Sequence, residues 1–187
     1  MSQKNYTPPS IAIVGIGGAG FNRVQRHQEY ACGGPRIQYL AVNTDRQAIS
    51  RIHGMPTILL NSDGSGVEAV MPWLASCNAL YVMAGLGGVA GSTAAPALVH
   101  LAQLAGIPTV ALVSLPADFE GRSHRDTAER ALQRIRMQAA ETVILDGEEV
   151  VQRLGDEISV SDFLDSIDKG LLEELDTRLK AGAGLMR

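Results

Sequence analysis

Asp, Glu, Lys and Arg are missing from Ala69 through Ala117, although these four make up 19% of the 187-residue chain as a whole. Gly and Pro interrupt that stretch repeatedly, and it contains no run of the roughly 18 unbroken apolar residues that a membrane span needs. A buried strand, loop, helix and second strand account for it better. Cysteine is scarce: Cys32 and Cys77 stand alone, without metal-ligand spacing. That excludes a disulfide framework or a zinc site and fits small apolar residues in a reducing compartment. Aromatic residues make up only 4%, and the single Trp73, following Pro72, reads as a packing residue rather than a base-stacking platform. No charge of one sign dominates, since 16 Lys and Arg face 20 Asp and Glu for a balance of -4. A broad electrostatic hold on nucleic acid or an anionic membrane is therefore not expected. The opening "MSQKNYTPPS" carries one Lys and no apolar core, so it is not a secretory signal. No Ser-His-Asp or Cys-His arrangement stands out, and His27, His53, His100 and His124 are scattered, as solvated or core histidines are. The expectation is a cytoplasmic protein without nucleic-acid or membrane partners.

With 45% hydrophobic residues, the chain can bury one core and is short for two domains. Short β-branched or apolar runs recur at 11–15, 37–42, 56–60, 79–84, 108–114 and 141–145, each bounded by Gly, Pro, Asn or Asp. Helical spacing fills most of the gaps, as in 120–140, whose interleaved charges read as a solvated helix face. Strand and helix in alternation predict an α/β fold, a Rossmann-like, mostly parallel sheet with helices on both faces. A long closing helix follows over 159–179, capped by Ser159 or Ser161, with Val160, Phe163, Leu164, Ile167, Leu171, Leu172 and Leu175 on its apolar side. The expected organisation is a flexible segment 1–10, one domain over 11–180 and a flexible Gly-rich tail over 181–187.

In such a sheet ligands gather at the carboxyl ends of the strands. The first strand runs into "GIGGAGFN", with Gly15, Gly17, Gly18, Gly20 and Asn22. That spacing contains GxGxxG, which suits backbone approach to a phosphate at a helix N-terminus and equally a merely tight turn. The second strand ends "AVNTD", where Asn43 and Asp45 suit a ribose or a magnesium-bound phosphate, or simply cap the next helix. The third informative end is "AGLGGVAGST", carrying Gly85, Gly87, Gly88 and Gly91 before Ser92 and Thr93. Two Gly-rich loops on one sheet point to phosphate more strongly than one does. A dinucleotide enzyme is disfavoured, because "AVN" stands where an acid would meet the ribose.

Through "IVGIGGAGFN", "AVNTDRQAI", "AGLGGVAGSTAAP", "DFEGR" and the closing helix, the chain resembles the nucleotide-binding domain of the FtsZ/tubulin family over about residues 11 to 180. The resemblance implies that GTP or GDP, with Mg2+ accompanying the nucleotide, is held by Gly17, Gly18, Gly20, Asn22, Asn43, Asp45, Gly87, Gly88, Gly91 and Ser92. It further implies that Glu120 holds the ribose, with Arg122 beside it, and that Asp146 reads the base in place of the family's Asn. Its carboxylate can accept from the base N1–H and exocyclic amine. The base-stacking ring falls near Leu164 and the base-reading acid near Lys169, with Phe163 and Asp168 one position away.

The motifs depart from the family's at several points. Val89 replaces a Gly, which costs roughly 1–2 kcal/mol if φ there must be positive. Ala90 replaces a Thr, a loss of about 0.5–1.5 kcal/mol of phosphate hydrogen bonding. Thr93 replaces another Gly, its hydroxyl a partial compensation at a helix start. A shortened "NSDGSGVEAVMPWLASCN" replaces the loop that senses the terminal phosphate and the helix after it. The family's second domain, which supplies acids that activate water, has no counterpart in these residues. The expectation is weak guanine-nucleotide binding with negligible GTPase activity of the chain alone. The implied partner is a complete FtsZ-family protein whose polymer it modulates, or a second copy. The alternative is a pseudo-GTPase interaction protein that binds no nucleotide.

Overall fold

The computed structural model describes residues 10–31, 36–155 and 157–185. Cys32 and segment 1–9 lie outside the described residues. The elements run β1 (Ser10–Ile16), α1 (Gly17–Tyr30), β2 (Arg36–Asn43), α2 (Arg46–Ser50), β3 (Thr57–Leu59), a 3-10 turn (Val67–Val70) and α3 (Met71–Leu74). Then come β4 (Ala79–Gly85), α4 (Val89–Leu104), β5 (Thr109–Leu115), α5 (Arg122–Arg136), β6 (Glu141–Asp146), α6 (Gly147–Leu154) and α7 (Val160–Leu185). The six strands form one parallel sheet in the order β3-β2-β1-β4-β5-β6, as the alternation of elements predicts.

Each strand alternates between two cores, because successive side chains leave a strand on opposite faces. From β1, Ala12, Val14 and Ile16 join Leu98, Val99 and Ala102 of α4 and Ile135 of α5 on one face. Ile11 and Ile13 join Val24 of α1 and Phe163, Ile167, Leu171 and Leu175 of α7 on the other. Covering the sheet on both faces explains the charge-free stretch 69–117: β4 and β5 are the interior strands of the second half of the sheet, and α4 lies against them. Among the described residues no helix is long and apolar enough to cross a membrane.

Three local expectations need correction. Trp73 is exposed on α3 rather than packed, since a one-turn helix can bury only one side, and Leu74 takes that place. On α7, Val160 and Leu164 are exposed while Phe163, Ile167, Leu171, Leu172 and Leu175 are buried. The helix therefore presents a narrower apolar stripe than its sequence suggests. Ser159 is its cap, its Oγ accepting from the Asp162 backbone N–H at 3.1 Å, and the helix runs on to Leu185 instead of stopping at Leu179.

Helix α7 is tied to α1 through His27, which is buried. Its Nδ1 lies 2.9 Å from the Tyr39 hydroxyl and its Nε2 3.1 Å from Asp176 Oδ1. The partners' chemistry assigns the neutral tautomer: Tyr39, its pKa pushed up to about 12 by burial, donates to Nδ1, and Nε2–H donates to the carboxylate. Burial lowers the His27 pKa against the pull of Asp176. The depressed pKa gives stability that is complete above the unfolded value near 6.5 and is lost as pH falls through the folded value. Thermal melts between pH 7.5 and 5 should therefore show a falling midpoint, and His27→Gln should flatten that slope. An unchanged slope in the variant would show that His27 is not the group responsible.

Candidate functional site

The strand order reverses between β1 and β4, and in open parallel sheets the crevice outside such a reversal is where ligands bind. Both flanking strands deliver their chain there into a helix, β1 into α1 and β4 into α4. Helix N-termini leave their first backbone N–H groups without partners inside the helix, and most are capped by a side chain. Here α1 starts at Gly17 after Ile16 and α4 at Val89 after Gly88, and neither has a side-chain cap. Asp45 caps α2 by accepting from Gln47 and Ala48 N–H, and Asp146 caps α6 by accepting from Glu148 N–H, whereas α5, after Gly121, also lacks a side-chain cap. What sets α1 and α4 apart is that their first turns line one cavity of about 410 Å³, within the range of small-molecule sites.

Glycine does two different jobs around this cavity. A Cβ on Gly20 would overlap the Met83 carbonyl oxygen of β4, and one on Gly91 would overlap the Gly85 carbonyl oxygen. These residues let α1 and α4 press their backbones onto the sheet. Gly18 and Gly88 have nothing within 4 Å of the Cβ position, so their faces are open to whatever enters the cavity.

The loop before α4 differs from the strained one that its substitutions raise as a condition. No non-glycine residue among those described has positive φ, so Val89 sits unstrained as the first residue of α4. Its side chain is 55% exposed at the cavity lining. The Ser92 hydroxyl accepts the Gly87 N–H at 2.8 Å, and the Leu86 N–H donates to the Ser114 carbonyl at 2.9 Å. The donors left facing the cavity are therefore those of the first turn of α4. Thr93 packs against Gly64, in the loop between β3 and the 3-10 turn, so its hydroxyl does not compensate at the cavity.

Of the residues that the resemblance assigns to the nucleotide, Gly17, Gly18, Asn43, Gly88, Gly91 and Glu120 line the cavity. Gly20, Asn22, Asp45, Gly87, Ser92, Arg122 and Asp146 do not. Asn43 is buried and its Oδ1 accepts the Thr44 and Asp45 N–H groups, fixing the turn after β2. Glu120 Oε1 accepts the Ala117 N–H at 3.0 Å. Asp146 is held in a two-pronged pair by Arg125, Nη1 to Oδ1 at 2.7 Å and Nη2 to Oδ2 at 2.6 Å. The Arg125 guanidinium draws its carboxyl below the usual range. No residue of segment 61–78 lines the cavity.

Sequence reasoning passed over Arg23. It is 1% exposed and lines the cavity from α1. Its Nε donates to Asp168 Oδ1 of α7 at 2.7 Å and its Nη2 to Ser114 Oγ of β5 at 3.0 Å. Among the described residues its buried Nη1 finds no hydrogen-bond partner. Burial lowers its pKa while Asp168 opposes, and an arginine keeps its charge under such a contest. A signal existed: Gly20, Val24 and His27 define the buried stripe of α1, and the helical period places Arg23 on it.

A parallel sheet with helices on both faces and two uncapped helix N-termini at its strand-order reversal defines the doubly wound α/β class, whose ligands occupy that crevice. The Tubulin/FtsZ family's GTPase-domain model matches residues 67–154. The chain is 31% identical over 166 residues to cell division protein FtsZ 2 of Rhizobium meliloti, spanning 79% of this chain and 47% of that protein. It is 35% identical over 153 residues to FtsZ 1 of Pyrococcus abyssi, spanning 72% of this chain and 40% of that one. Among solved structures, the empty FtsZ dimer of M. jannaschii superposes with a TM-score of 0.83 at 23% identity, covering 94% of this chain and 56% of that one. The GTPγS-bound protofilament of CetZ2 from Haloferax volcanii does so at 0.72 and 24%. The chain belongs to the tubulin/FtsZ family and corresponds to its N-terminal GTPase domain, with altered motifs. It spans about half the length of the curated relatives it matches.

Proposed function

We propose that the cavity binds a guanine nucleotide weakly, holding its phosphates at the first turns of α1 and α4 with little preference for GTP over GDP. The observation that carries this reading is the pair of uncapped helix N-termini opening onto one cavity. Unsatisfied backbone donors and two aligned dipoles favour an anion there, and the open faces of Gly18 and Gly88 let it approach. Weakness follows from what the site has lost. Ala90 brings no hydroxyl, Ser92 does not line the cavity, and arginines hold both Asp146 and Asp168. Indifference to the terminal phosphate follows from segment 61–78 lying away from the cavity.

Among the described residues no group of three or more His, Cys, Asp or Glu side chains is placed to hold a metal ion. Mg2+ would therefore enter as the phosphates' companion, keeping most of its waters. Glu120, the carboxylate lining the cavity, is engaged with the Ala117 backbone, so these 187 residues alone are expected to hydrolyse GTP negligibly.

Calorimetric titration of the stripped protein should give GTP and GDP dissociation constants within about tenfold of each other. GTP binding tighter by more than that contradicts the proposal. Exposed apolar side chains favour a second reading, a pseudo-GTPase that uses this face against a protein such as an FtsZ-type polymer or a second copy. Val89 and Leu164 line the cavity while exposed, and Phe119 stands exposed against Phe163. Binding of neither nucleotide at millimolar concentration would select that reading.

A further inference from the structure

Covering the sheet explains why β4, β5 and the inner side of α4 lack charge. It does not explain why the solvent-facing positions of the same stretch lack it too. Trp73 and Ser76 beside α3 and His100, Gln103 and Leu104 on α4 are all exposed, and exposed positions are where Lys, Glu, Arg and Asp normally gather. On α4 these three residues share one outward face, as spacings of three and four place them. The two groups meet at the amino ends of β4 and β5, the end of the sheet opposite the nucleotide cavity. Between them lies a second cavity of about 440 Å³, lined among others by Leu74, Cys77, Ala105 and Ile107. Leu104, 71% exposed, immediately precedes Ala105 of that lining, and Trp73 stands beside Cys77, whose thiol donates to the Trp73 carbonyl at 3.5 Å. A surface depleted of charge that offers Trp and Leu beside a hollow has the composition of an interface centre.

We infer that the chain forms a two-fold symmetric dimer through this α3 and α4 face. The occupant follows from charge and from shape. The chain carries a net charge of -4, so two copies repel over most of their surfaces. In an isologous pair the same patch lies on both sides, and any charge near the axis meets its own like. A face without Asp, Glu, Lys or Arg is what that symmetry requires, whereas a partner of opposite charge would call for charged groups here. The face also carries both halves of a fit, because Leu104 and Trp73 project next to a hollow. Two copies related by a two-fold axis can therefore each seat a projecting side chain against the other's cavity. The inference does not depend on nucleotide binding, which belongs to the carboxyl ends of the strands.

The test is sedimentation of the full 187-residue chain at pH 8 over about 1–100 μM, a range that captures a dimer of micromolar affinity. Trp73 is the single tryptophan, so the same dilution series read by intrinsic fluorescence reports on this face alone. A monomer–dimer equilibrium is expected, with Trp73 emission moving to shorter wavelength as the dimer forms. Leu104→Lys places a like charge on both sides of the contact and a cation in the last turn of α4, where it suits the helix. It should weaken the dimer at least about tenfold, abolish the concentration dependence of the emission and leave the melting midpoint of the dilute protein unchanged. Leu154→Lys, an exposed change on α6 across the sheet, should leave the dimer as it is. A monomer throughout the range overturns the inference. Assembly running past the dimer overturns it as well, since an isologous contact closes at two. A dimer that Leu104→Lys leaves intact, or that forms without any change in Trp73 emission, would place the contact on another face and equally overturn it.

Discussion

Gly20→Ala is expected to cost at least about 3 kcal/mol of stability, above the usual toll of an overpacked methyl because the obstacle is backbone. The added carbon would overlap the Met83 carbonyl oxygen, and β4 is locked between β1 and β5 by its ladder hydrogen bonds. Neither partner can yield. At roughly 2–4 °C per kcal/mol for a chain of this size, the melting midpoint should fall by about 10 °C or the protein should fail to accumulate. Gly91→Ala should behave alike, its obstacle being the Gly85 carbonyl oxygen. Gly88→Ala is the control from the same loop. Gly88 has φ -82 and no neighbour within 4 Å of its Cβ position, so the change should cost less than about 1 kcal/mol. Thermal melts of the three variants decide the matter, and a Gly20→Ala midpoint within about 2 °C of the parent would show that α1 can lift off the sheet without penalty.

The division of labour among glycines was invisible in the sequence, where Gly18, Gly20, Gly88 and Gly91 look equivalent. Whether a glycine is needed for packing or for ligand approach depends on what lies opposite its missing side chain, and for Gly20 that is a residue of β4 far along the chain. The strands were legible because parallel, doubly covered strands read as short apolar runs: all six fall within two residues of their predicted ends. Helix α6 was not anticipated, since "GEEVVQRL" is brief and its start hides in the turn after β6. Asp45 shows a different limit. A carboxylate at a strand end suits a ligand and a helix cap equally, and the sequence left both open; Asp45 accepts from Gln47 and Ala48. The Arg23–Asp168 pair joins residues 145 positions apart, a distance over which pattern alone carries no pairing information.

The central claim is that the first turns of α1 and α4 form an anion site for a nucleotide's phosphates, and Gly88→Glu probes it without disturbing the fold. Gly88 is exposed, its φ and ψ of -82 and 167 are open to any residue, and it precedes the first turn of α4. A carboxylate at a helix N-terminus is favourable for the helix, by about 0.3–1 kcal/mol. The melting midpoint should therefore hold or rise slightly. For a bound phosphate the same carboxylate is a like charge at the cavity mouth, and such a juxtaposition costs several kcal/mol. GDP binding should weaken by at least about a hundredfold, equivalent to about 2.7 kcal/mol. Calorimetric titration of GDP into the stripped parent and into Gly88→Glu, with melts of both, is the most direct measurement. The account predicts measurable binding to the parent and its loss in a variant that melts no lower; equal GDP affinity in the two proteins would contradict it.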